Sequence, residues 1–135
     1  IMHDPTASPT VGIGMPVFNG ERYLEAAIAS VLAQSFRDFE LVICDNASTD
    51  RTEAICRRFA AGDSRIRYVR NPENLGGHPN YNRSFELSRG RYFKWAAHDD
   101  VLLPGFLEAC VAALEKNADA ALCQSDIDYI DEDGM

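Results

Sequence analysis

The sequence predicts an α/β protein in which a mostly parallel sheet has helices on both faces, a three-layer α/β/α arrangement. Two observations carry this prediction: short apolar runs alternate with segments whose apolar residues repeat at helical spacing, and 46% of the 135 residues are hydrophobic. Strands and helices that alternate in this way form βαβ units with right-handed crossovers. A chain of this size and composition has enough apolar surface to form one hydrophobic core.

The first half of the chain predicts two strands, each followed by a helix. Residues 11–17 form a mostly apolar run that ends in a turn, and residues 39–44 form an apolar run that suits a strand covered on both faces. Over residues 23–34 the apolar side chains repeat at one-face helical spacing. A second helix is predicted to follow the second strand, because Asp50 and Glu53 have the spacing of a capping box.

The second half of the chain predicts three further strands, at residues 66–70, 92–97 and 120–123. A third helix follows the third strand, with Pro79 at its first position, and Pro104 opens a fourth helix. The alternation of strand and helix therefore continues to the last predicted strand.

Three segments are expected on this basis. Residues 1–10 are interpreted as a flexible N-terminal segment, residues 11–126 as the domain, and residues 127–135 as an exposed acidic tail. The tail is expected to lead into a further half that the sequence does not contain, so that the domain is truncated.

Composition excludes several classes of protein. With 13 basic and 21 acidic residues the net charge is −8, which argues against binding a nucleic-acid backbone. No apolar run approaches the roughly 20 residues of a membrane-spanning helix, and the N-terminus does not look like a signal peptide. The cysteines are scattered and predict reduced thiols in a cytoplasmic protein, with a place at the inner face of the membrane left open. They are Cys44, Cys56, Cys110 and Cys123.

Polar side chains follow each of the first four predicted strands. In an open parallel sheet the ligand binds outside the carboxyl ends of the strands, so these side chains are expected to converge on one site. The candidates are Phe18, Asn19, Glu21, Asp45, Asn46, Ser48, Asn71, Asn74, His98, Asp99 and Asp100.

Asp99 and Asp100 form a pair of adjacent carboxylates at a strand end. Such oxygen ligands suit Mg²⁺ or Mn²⁺, which keep bound waters and share the phosphates of a substrate. The alternative interpretation is that one of the two acids caps the following helix, where Asp is favoured. The residues alone leave both interpretations open.

The other candidates also have two interpretations each. Asp45 can accept hydrogen bonds from a base or a ribose, or it can be a turn residue. Phe18 can stack on a nucleobase or belong to the core, and His98 can be a ligand or a hydrogen-bonded structural group. The glycine pair that begins at Gly76 can bring backbone close to a diphosphate or form a plain turn.

Four motifs, taken together and in order, resemble family 2 glycosyltransferases. They cover about residues 11 to 110, whereas no phosphate-binding P-loop and no dinucleotide-binding glycine motif is present. The motifs are Pro16-Val17-Phe18-Asn19-Gly20-Glu21 with Tyr23-Leu24 and Ser30 to Phe36, then Phe39 to Asp50, then Asn74-Leu75-Gly76-Gly77, then His98-Asp99-Asp100.

This resemblance implies a GT-A fold, a Rossmann-like sheet that binds a nucleotide sugar. It implies that Phe18 packs on the nucleobase, that Asp45 hydrogen-bonds the base, and that Asp99 lies near the ribose of the donor. Asp100 would coordinate a divalent metal, Mn²⁺ or Mg²⁺, that bridges the diphosphate. The remaining residues implied in the nucleotide site are Pro16, Asn19, Glu21, Asn74 and Gly76.

The implied reaction is inverting transfer of a sugar from a UDP-, dTDP- or GDP-linked donor to a hydroxyl of a saccharide or lipid-linked acceptor, as in the synthesis of cell-surface polysaccharide. The catalytic base is expected beyond residue 135, so this sequence alone is expected to bind a nucleoside diphosphate with the metal but to transfer little or no sugar. Any membrane association would come from segments outside this sequence. Alternatives are a non-catalytic nucleotide-sugar-binding module and, third, a nucleotidyltransferase.

The sequence departs from the family pattern at two places. Ala97 stands where many members have an aspartate, two positions before Asp99, and Tyr81-Asn82 stands where an Ala-Arg-Asn run is common. A metal or ribose contact is therefore expected to be weaker, and an arginine that faces the diphosphate is not assumed.

Overall fold

The computed structural model describes residues 7–135 and contains four parallel strands and four helices in strict alternation. The strands are β1 (Val11–Val17), β2 (Phe39–Asp45), β3 (Ile66–Arg70) and β4 (Tyr92–Trp95). The helices are α1 (Leu24–Leu32), α2 (Thr52–Gly62), α3 (Gly77–Leu87) and α4 (Phe106–Lys116). The predicted α/β class is confirmed.

The strands lie in the order β3-β2-β1-β4, and every neighbouring pair is parallel. The chain moves outward from β1 through β2 to β3, and then returns to place β4 on the other side of β1. The strand order therefore reverses between β1 and β4, which is where an open α/β sheet forms a crevice at the carboxyl ends of its strands.

The main core lies on one face of the sheet. Alternate residues of β1 and β2, such as Ile13 and Ile43, are fully buried there against α1, α2 and α4. The side chains of α1 that meet them are spaced along one stripe of the helix, as the sequence pattern predicts. They are Leu24, Ala27, Ile28 and Val31.

Helix α3 covers the opposite face, where β1 presents glycines instead of large side chains. A Cβ added to Gly14 would lie 2.7 Å from the Oγ atom of Ser84, and one added to Gly12 would lie 2.4 Å from the carbonyl oxygen of Arg89. These contacts are too short for any side chain, so the two glycines allow α3 and the segment after it to pack directly on the strand. The three-layer arrangement is thus also confirmed.

The fifth predicted strand, at residues 120–123, is wrong. After α4 the structure has no helix or strand up to Met135, and the apolar side chain of Leu122 is 78% exposed. A strand requires a neighbour to pair with, and the short run has none within the described residues. β4 is also shorter than predicted, although the amide of Ala96 still donates to the carbonyl of Gly14 at 2.9 Å.

The predicted helix starts need correction. Asp50 accepts a hydrogen bond from the amide of Thr52, but Glu53 turns to Arg57 and Arg70 and does not complete a capping box. α3 begins two residues before Pro79, and α4 begins at Phe106 and not at Pro104.

The chain ends and the cysteines complete the comparison with the predicted segments. Residues 1–6 of the predicted flexible segment lie outside the described residues, whereas Thr10 is held to β2 by two hydrogen bonds to Asp38. Residues 127–135 are exposed, with Glu132 paired to Arg22. All four cysteines are free thiols, and burial raises the pKa of Cys44 to about 11.

Candidate functional site

The loop after β1 and the loop after β2 are joined by a series of hydrogen bonds at the carboxyl edge of the sheet. The amide of Asn19 donates to the Oγ atom of Ser48 at 2.9 Å, and the amide of Gly20 donates to the Oγ1 atom of Thr52 at 3.0 Å. In the reverse direction, the amide of Thr49 donates to the Oδ1 atom of Asn19 at 2.8 Å. The two loops therefore form one platform.

Glu21 belongs to the same platform. Its Oε2 atom accepts from the amide of Arg51 at 3.1 Å, at the start of α2, and its own amide donates to Asp50. The side-chain oxygens of Asn19 and Glu21 thus hold the two loops together. Phe18 lies between the end of β1 and this platform. A role for Asn19 or Glu21 in contacting a nucleotide stays a prediction.

Asp45 lies at the end of β2 and is completely buried. Its Oδ1 atom accepts from the amide of Ser48 at 2.9 Å, and its Oδ2 atom accepts from the Tyr68 hydroxyl at 2.6 Å and from Arg70 at 2.9 Å. Burial, together with the hydrogen bond to Asp45, raises the pKa of Tyr68 well above its usual value, so that the hydroxyl stays protonated and donates. Asp45 therefore fixes the loop that follows it, and direct contact with a base stays a prediction.

Buried amides hold the segment that follows β3. Asn46, next to Asp45, donates to Asn74 at 2.8 Å and to the carbonyl of Gly76 at 3.1 Å, and accepts from the amide of Leu75 at 2.8 Å. Gly76 has a φ of +88°, the left-handed region that glycine adopts without strain. This network brings Asn74 and Gly76, both predicted site residues, to the same edge as Asn46 and places the start of α3 there.

These loops enclose a groove of about 180 Å³. The side chain of Phe18 is 46% exposed in it, so Phe18 is not a core residue. The groove combines apolar walls with a few polar groups, which is typical of a small-molecule site. Its lining residues are Pro16, Val17, Phe18, Asn46, Gly77, Asn80, Tyr81 and His98.

A larger depression of about 250 Å³ lies where β4 begins, lined by residues that include Phe85 and Tyr92. It is at the amino end of β4, the opposite edge from the converging loops. Because ligands of open α/β sheets bind at the carboxyl edge, we take the smaller groove as the candidate site.

His98 forms one wall of the groove and follows the end of β4. Its ring lies against Gly20, where an added Cβ would be 2.6 Å from the Cδ2 atom of His98 and 2.7 Å from a methyl carbon of Val17. No hydrogen bond to His98 occurs within residues 7–135, so the interpretation of His98 as a hydrogen-bonded structural group is not supported. The contact instead places the two residues after it, Asp99 and Asp100, beside the loop that follows β1.

Asp99 and Asp100 are both exposed at this edge. Within the described residues no three His, Cys, Asp or Glu side chains converge on a point that could hold a metal ion. Mg²⁺ and Mn²⁺ need only one or two protein carboxylates when phosphate oxygens and waters complete the shell, so the pair fits such an ion. Nearby, burial lowers the pKa of Lys94, and the charge of Asp100 partly opposes this shift.

Comparison with known proteins identifies the family. The model of the family described as glycosyl transferase family 2 matches residues 12–135. The chain belongs to this family. An uncharacterized glycosyltransferase of Methanocaldococcus jannaschii is 33% identical over 128 residues, which cover 93% of this chain and 44% of that protein. Another, of Rickettsia prowazekii, is 38% identical over 109 residues, covering 81% of this chain and 33% of that protein.

Solved structures of glycosyltransferases with a GT-A fold agree with this family 2 assignment at the level of the fold. TarS of Staphylococcus aureus in complex with UDP has a TM-score of 0.75 at 22% identity, over 81% of this chain and 33% of that one. The mannosyltransferase PcManGT of Pyrobaculum calidifontis, with GDP-Man and Mn²⁺, has a TM-score of 0.72 at 24% identity, over 84% of this chain and 34% of that one. The family 2 chain therefore spans between a third and a half of the length of the proteins named here.

Several residues that line or support the groove were not predicted from the sequence. Tyr68 and Arg70 pair with Asp45, and Asn80 and Tyr81 line the groove. Arg70 stands directly opposite Asp45 in the register of β2 and β3, which a parallel alignment of the two predicted strands would have indicated. Asn80 and Tyr81 carried no such signal, because they depend on where α3 sits over β1.

One prediction follows from the contact between Gly20 and His98. Gly20→Ala is expected to lower the free energy of unfolding by about 1–3 kcal/mol, because its Cβ would overlap His98 and Val17 and these side chains would have to move. Chemical denaturation measures the change. Gly62→Ala at the end of α2 is the matched control, since nothing lies within 4 Å of its Cβ. An equal effect of both substitutions would contradict the packing described.

A second prediction concerns Ala47, which has a φ of +63° in the loop after β2. Residues with a Cβ lose about 1–2 kcal/mol in this left-handed conformation, whereas glycine adopts it at only a smaller entropic cost. Ala47→Gly is therefore expected to raise the free energy of unfolding by about 0.5–1 kcal/mol. The control is Ala29→Gly, at an exposed interior position of α1, which should lower it by about 1 kcal/mol. If both substitutions lowered stability, the left-handed loop would be wrong.

Proposed function

We propose that the protein transfers a sugar from a nucleoside-diphosphate donor to an acceptor hydroxyl with inversion, and that residues 7–135 include its donor- and metal-binding part. The observation that carries the proposal is the groove at the point where the strand order reverses. The exposed ring of Phe18 and the ring of His98 both line this groove, and Asp99 and Asp100 directly follow His98 in the chain. Family membership supports the same chemistry. TarS and PcManGT, which share the fold, carry UDP and GDP-Man in their structures.

Phe18 offers a flat apolar surface at the mouth of β1, on which a nucleobase can stack. In this arrangement Phe18 holds the base from one side. Asp45 and its partners lie buried below the loop after β2, where they keep that loop in place. Asp99 would contact the ribose and Asp100 the metal, as their exposed positions after β4 permit.

The charge of the site supports a divalent cation. Glu21, Asp99 and Asp100 are all exposed carboxylates at this edge, and the protein as a whole carries a net charge of −8. A diphosphate brought to this edge would be repelled unless a cation lay between them. When bound, Mn²⁺ or Mg²⁺ would neutralise the charge that develops on the leaving diphosphate.

We extend the proposal to the acceptor, a saccharide or lipid-linked hydroxyl compound, and to a place in the synthesis of cell-surface polysaccharide at the cytoplasmic side of the membrane. Family 2 membership supports a sugar acceptor of this kind. None of the helices within residues 7–135 is long and apolar enough to span a membrane.

The test of this function is release of nucleoside diphosphate from UDP-, dTDP- and GDP-sugars, measured with Mn²⁺, with Mg²⁺ and with a chelator. It uses a protein that includes the part expected beyond residue 135, because residues 1–135 alone are expected to bind the donor but to transfer little or no sugar. We expect release from the donors of one base only, dependent on the metal and increased by a saccharide acceptor. Binding of a nucleotide sugar without release, under every metal and acceptor tried, would favour a non-catalytic binding module and contradict the proposal.

A further inference from the structure

Two of the four polar side chains that line the groove, Asn46 and Asn80, are already used by the fold. The side chain of Asn46 donates twice, to Asn74 and to the carbonyl of Gly76, and its Oδ1 atom accepts from the amide of Leu75 and from Asn71 at 3.1 Å. An amide side chain has two donor hydrogens and two acceptor positions, so Asn46 has no capacity left for a ligand.

Asn80 is held by the fold through one donated and one accepted hydrogen bond. Its Nδ2 atom donates to the carbonyl of Cys44 at 2.9 Å, and its Oδ1 atom accepts from Asn71 at 2.9 Å. Both Asn46 and Asn80 are almost completely buried. They therefore shape the groove from below and do not present polar groups to its interior.

Two lining side chains remain with polar groups that the fold does not use. The hydroxyl of Tyr81 and both ring nitrogens of His98 make no hydrogen bond within residues 7–135. They come from different elements, Tyr81 from α3 and His98 from the end of β4, and meet at the same groove as Phe18.

Both side chains are held in place although their polar ends are unbonded. The carbonyl of Tyr81 accepts from the Nε1 atom of Trp95 at 3.1 Å, and the two rings are tilted with centroids 6.1 Å apart. The ring of His98 packs on Gly20. Groups that are fixed in position and still able to donate are suited to bind a ligand with little loss of conformational entropy.

We propose that Tyr81 and His98 donate hydrogen bonds to the diphosphate of the nucleotide-sugar donor and so determine how tightly this site binds it; this inference rests on the proposed function. None of the eight residues that line the groove is Lys or Arg, and Asn46 and Asn80 are almost completely buried, so Tyr81 and His98 are its accessible side-chain donors to an anion. His98 directly precedes Asp99 and Asp100, which places it beside the position at which a metal-bound diphosphate would lie. Phe18 is apolar and is left for the base.

The test is calorimetric titration of the purified protein with UDP, dTDP and GDP in Mn²⁺. Tyr81→Phe removes only the hydroxyl, and we expect it to weaken binding of the preferred diphosphate about tenfold, as for a hydrogen bond to a charged group. His98→Ala is expected to have an effect of similar size, and His98→Gln, which keeps a donor, a smaller one. Tyr129→Phe is the matched control, because Tyr129 is 94% exposed in the C-terminal segment.

Thermal unfolding without nucleotide separates a binding role from a structural one. The midpoint of Tyr81→Phe should equal that of the unmodified protein, since the hydroxyl has no partner within residues 7–135. That of His98→Gln should fall only slightly, because the ring contact with Gly20 is lost but no hydrogen bond is. If the unmodified protein binds the diphosphate and both variants bind it equally well, the assignment of Tyr81 and His98 is wrong and the proposed function stands. If the unmodified protein binds none of the three diphosphates, the proposed function fails, and this assignment fails with it.

Discussion

Asp45→Ala is expected to lower the free energy of unfolding by about 3 kcal/mol, the largest stability effect of any substitution considered for this protein. The carboxylate is fully buried and accepts three hydrogen bonds, from the amide of Ser48, the Tyr68 hydroxyl and Arg70. Alanine would leave these donors without an acceptor, and the penalty for an unsatisfied buried donor exceeds the net gain from forming the bond. Urea denaturation monitored by circular dichroism measures the change.

An exposed ion pair is the control for this substitution. Glu25 and Arg58 connect α1 to α2, and more than half of each side chain is exposed. Glu25→Ala removes one charge of a solvent-screened pair and should change stability by about 0.5 kcal/mol or less. If Asp45→Ala were as mild as Glu25→Ala, Asp45 would not be the buried anchor of its loop. Its oxygens would then be available to a ligand.

Asp100→Ala is expected to abolish metal-dependent binding of a nucleoside diphosphate while it leaves the fold unchanged. The side chain is exposed and makes no hydrogen bond within residues 7–135, so its removal costs little stability. A bound Mn²⁺ would lose one of the few carboxylates at this edge, and the diphosphate would lose the cation that offsets the surrounding negative charge. Calorimetric titration with UDP or GDP, with and without Mn²⁺, measures the loss, which we expect to be about 100-fold or more.

Asp119→Ala is the matched control, because Asp119 is an exposed acid just after α4 and away from the carboxyl edge of the sheet. It should bind nucleotide and Mn²⁺ as the unmodified protein does. If Asp100→Ala did the same, Asp100 would not be a metal ligand. The alternative that one of the two acids caps the following helix is already wrong, because α4 begins at Phe106 and its N-cap residue is Gly105.

Much of the fold follows from local patterns in the sequence. β1 and β2 are buried on both faces, so they appear as nearly continuous apolar runs, and α1 buries one stripe that repeats at helical spacing. The fifth strand at residues 120–123 could not be judged in the same way, because four residues pair only if a neighbouring strand accepts them. The capping box predicted at the start of α2 is wrong because Glu53 pairs with Arg57, one turn further along the helix, at 2.8 Å, and also lies 3.6 Å from Arg70.

The site could be predicted as a place but not as a set of contacts. Parallel strands bring Phe18, Asp45 and Asp99 to one edge, whichever side chains surround them. The sequence does not show which way each polar group points. Asp45 and Asn46 form hydrogen bonds within the protein, whereas the Tyr81 hydroxyl and the His98 ring nitrogens remain available to a ligand. These directions depend on the register of β3 and on the position of α3, which are properties of the folded chain.

The most direct test of the central claim is thermal unfolding of the protein with UDP, dTDP and GDP, each with and without Mn²⁺. A ligand present at 100 times its dissociation constant stabilises the native state by about 2.7 kcal/mol. We predict a clear rise in the unfolding temperature for one nucleotide, and only when Mn²⁺ is also present. No rise for any nucleotide with Mn²⁺, or an equal rise without the metal, would contradict a metal-dependent nucleotide site at the carboxyl edge of this sheet.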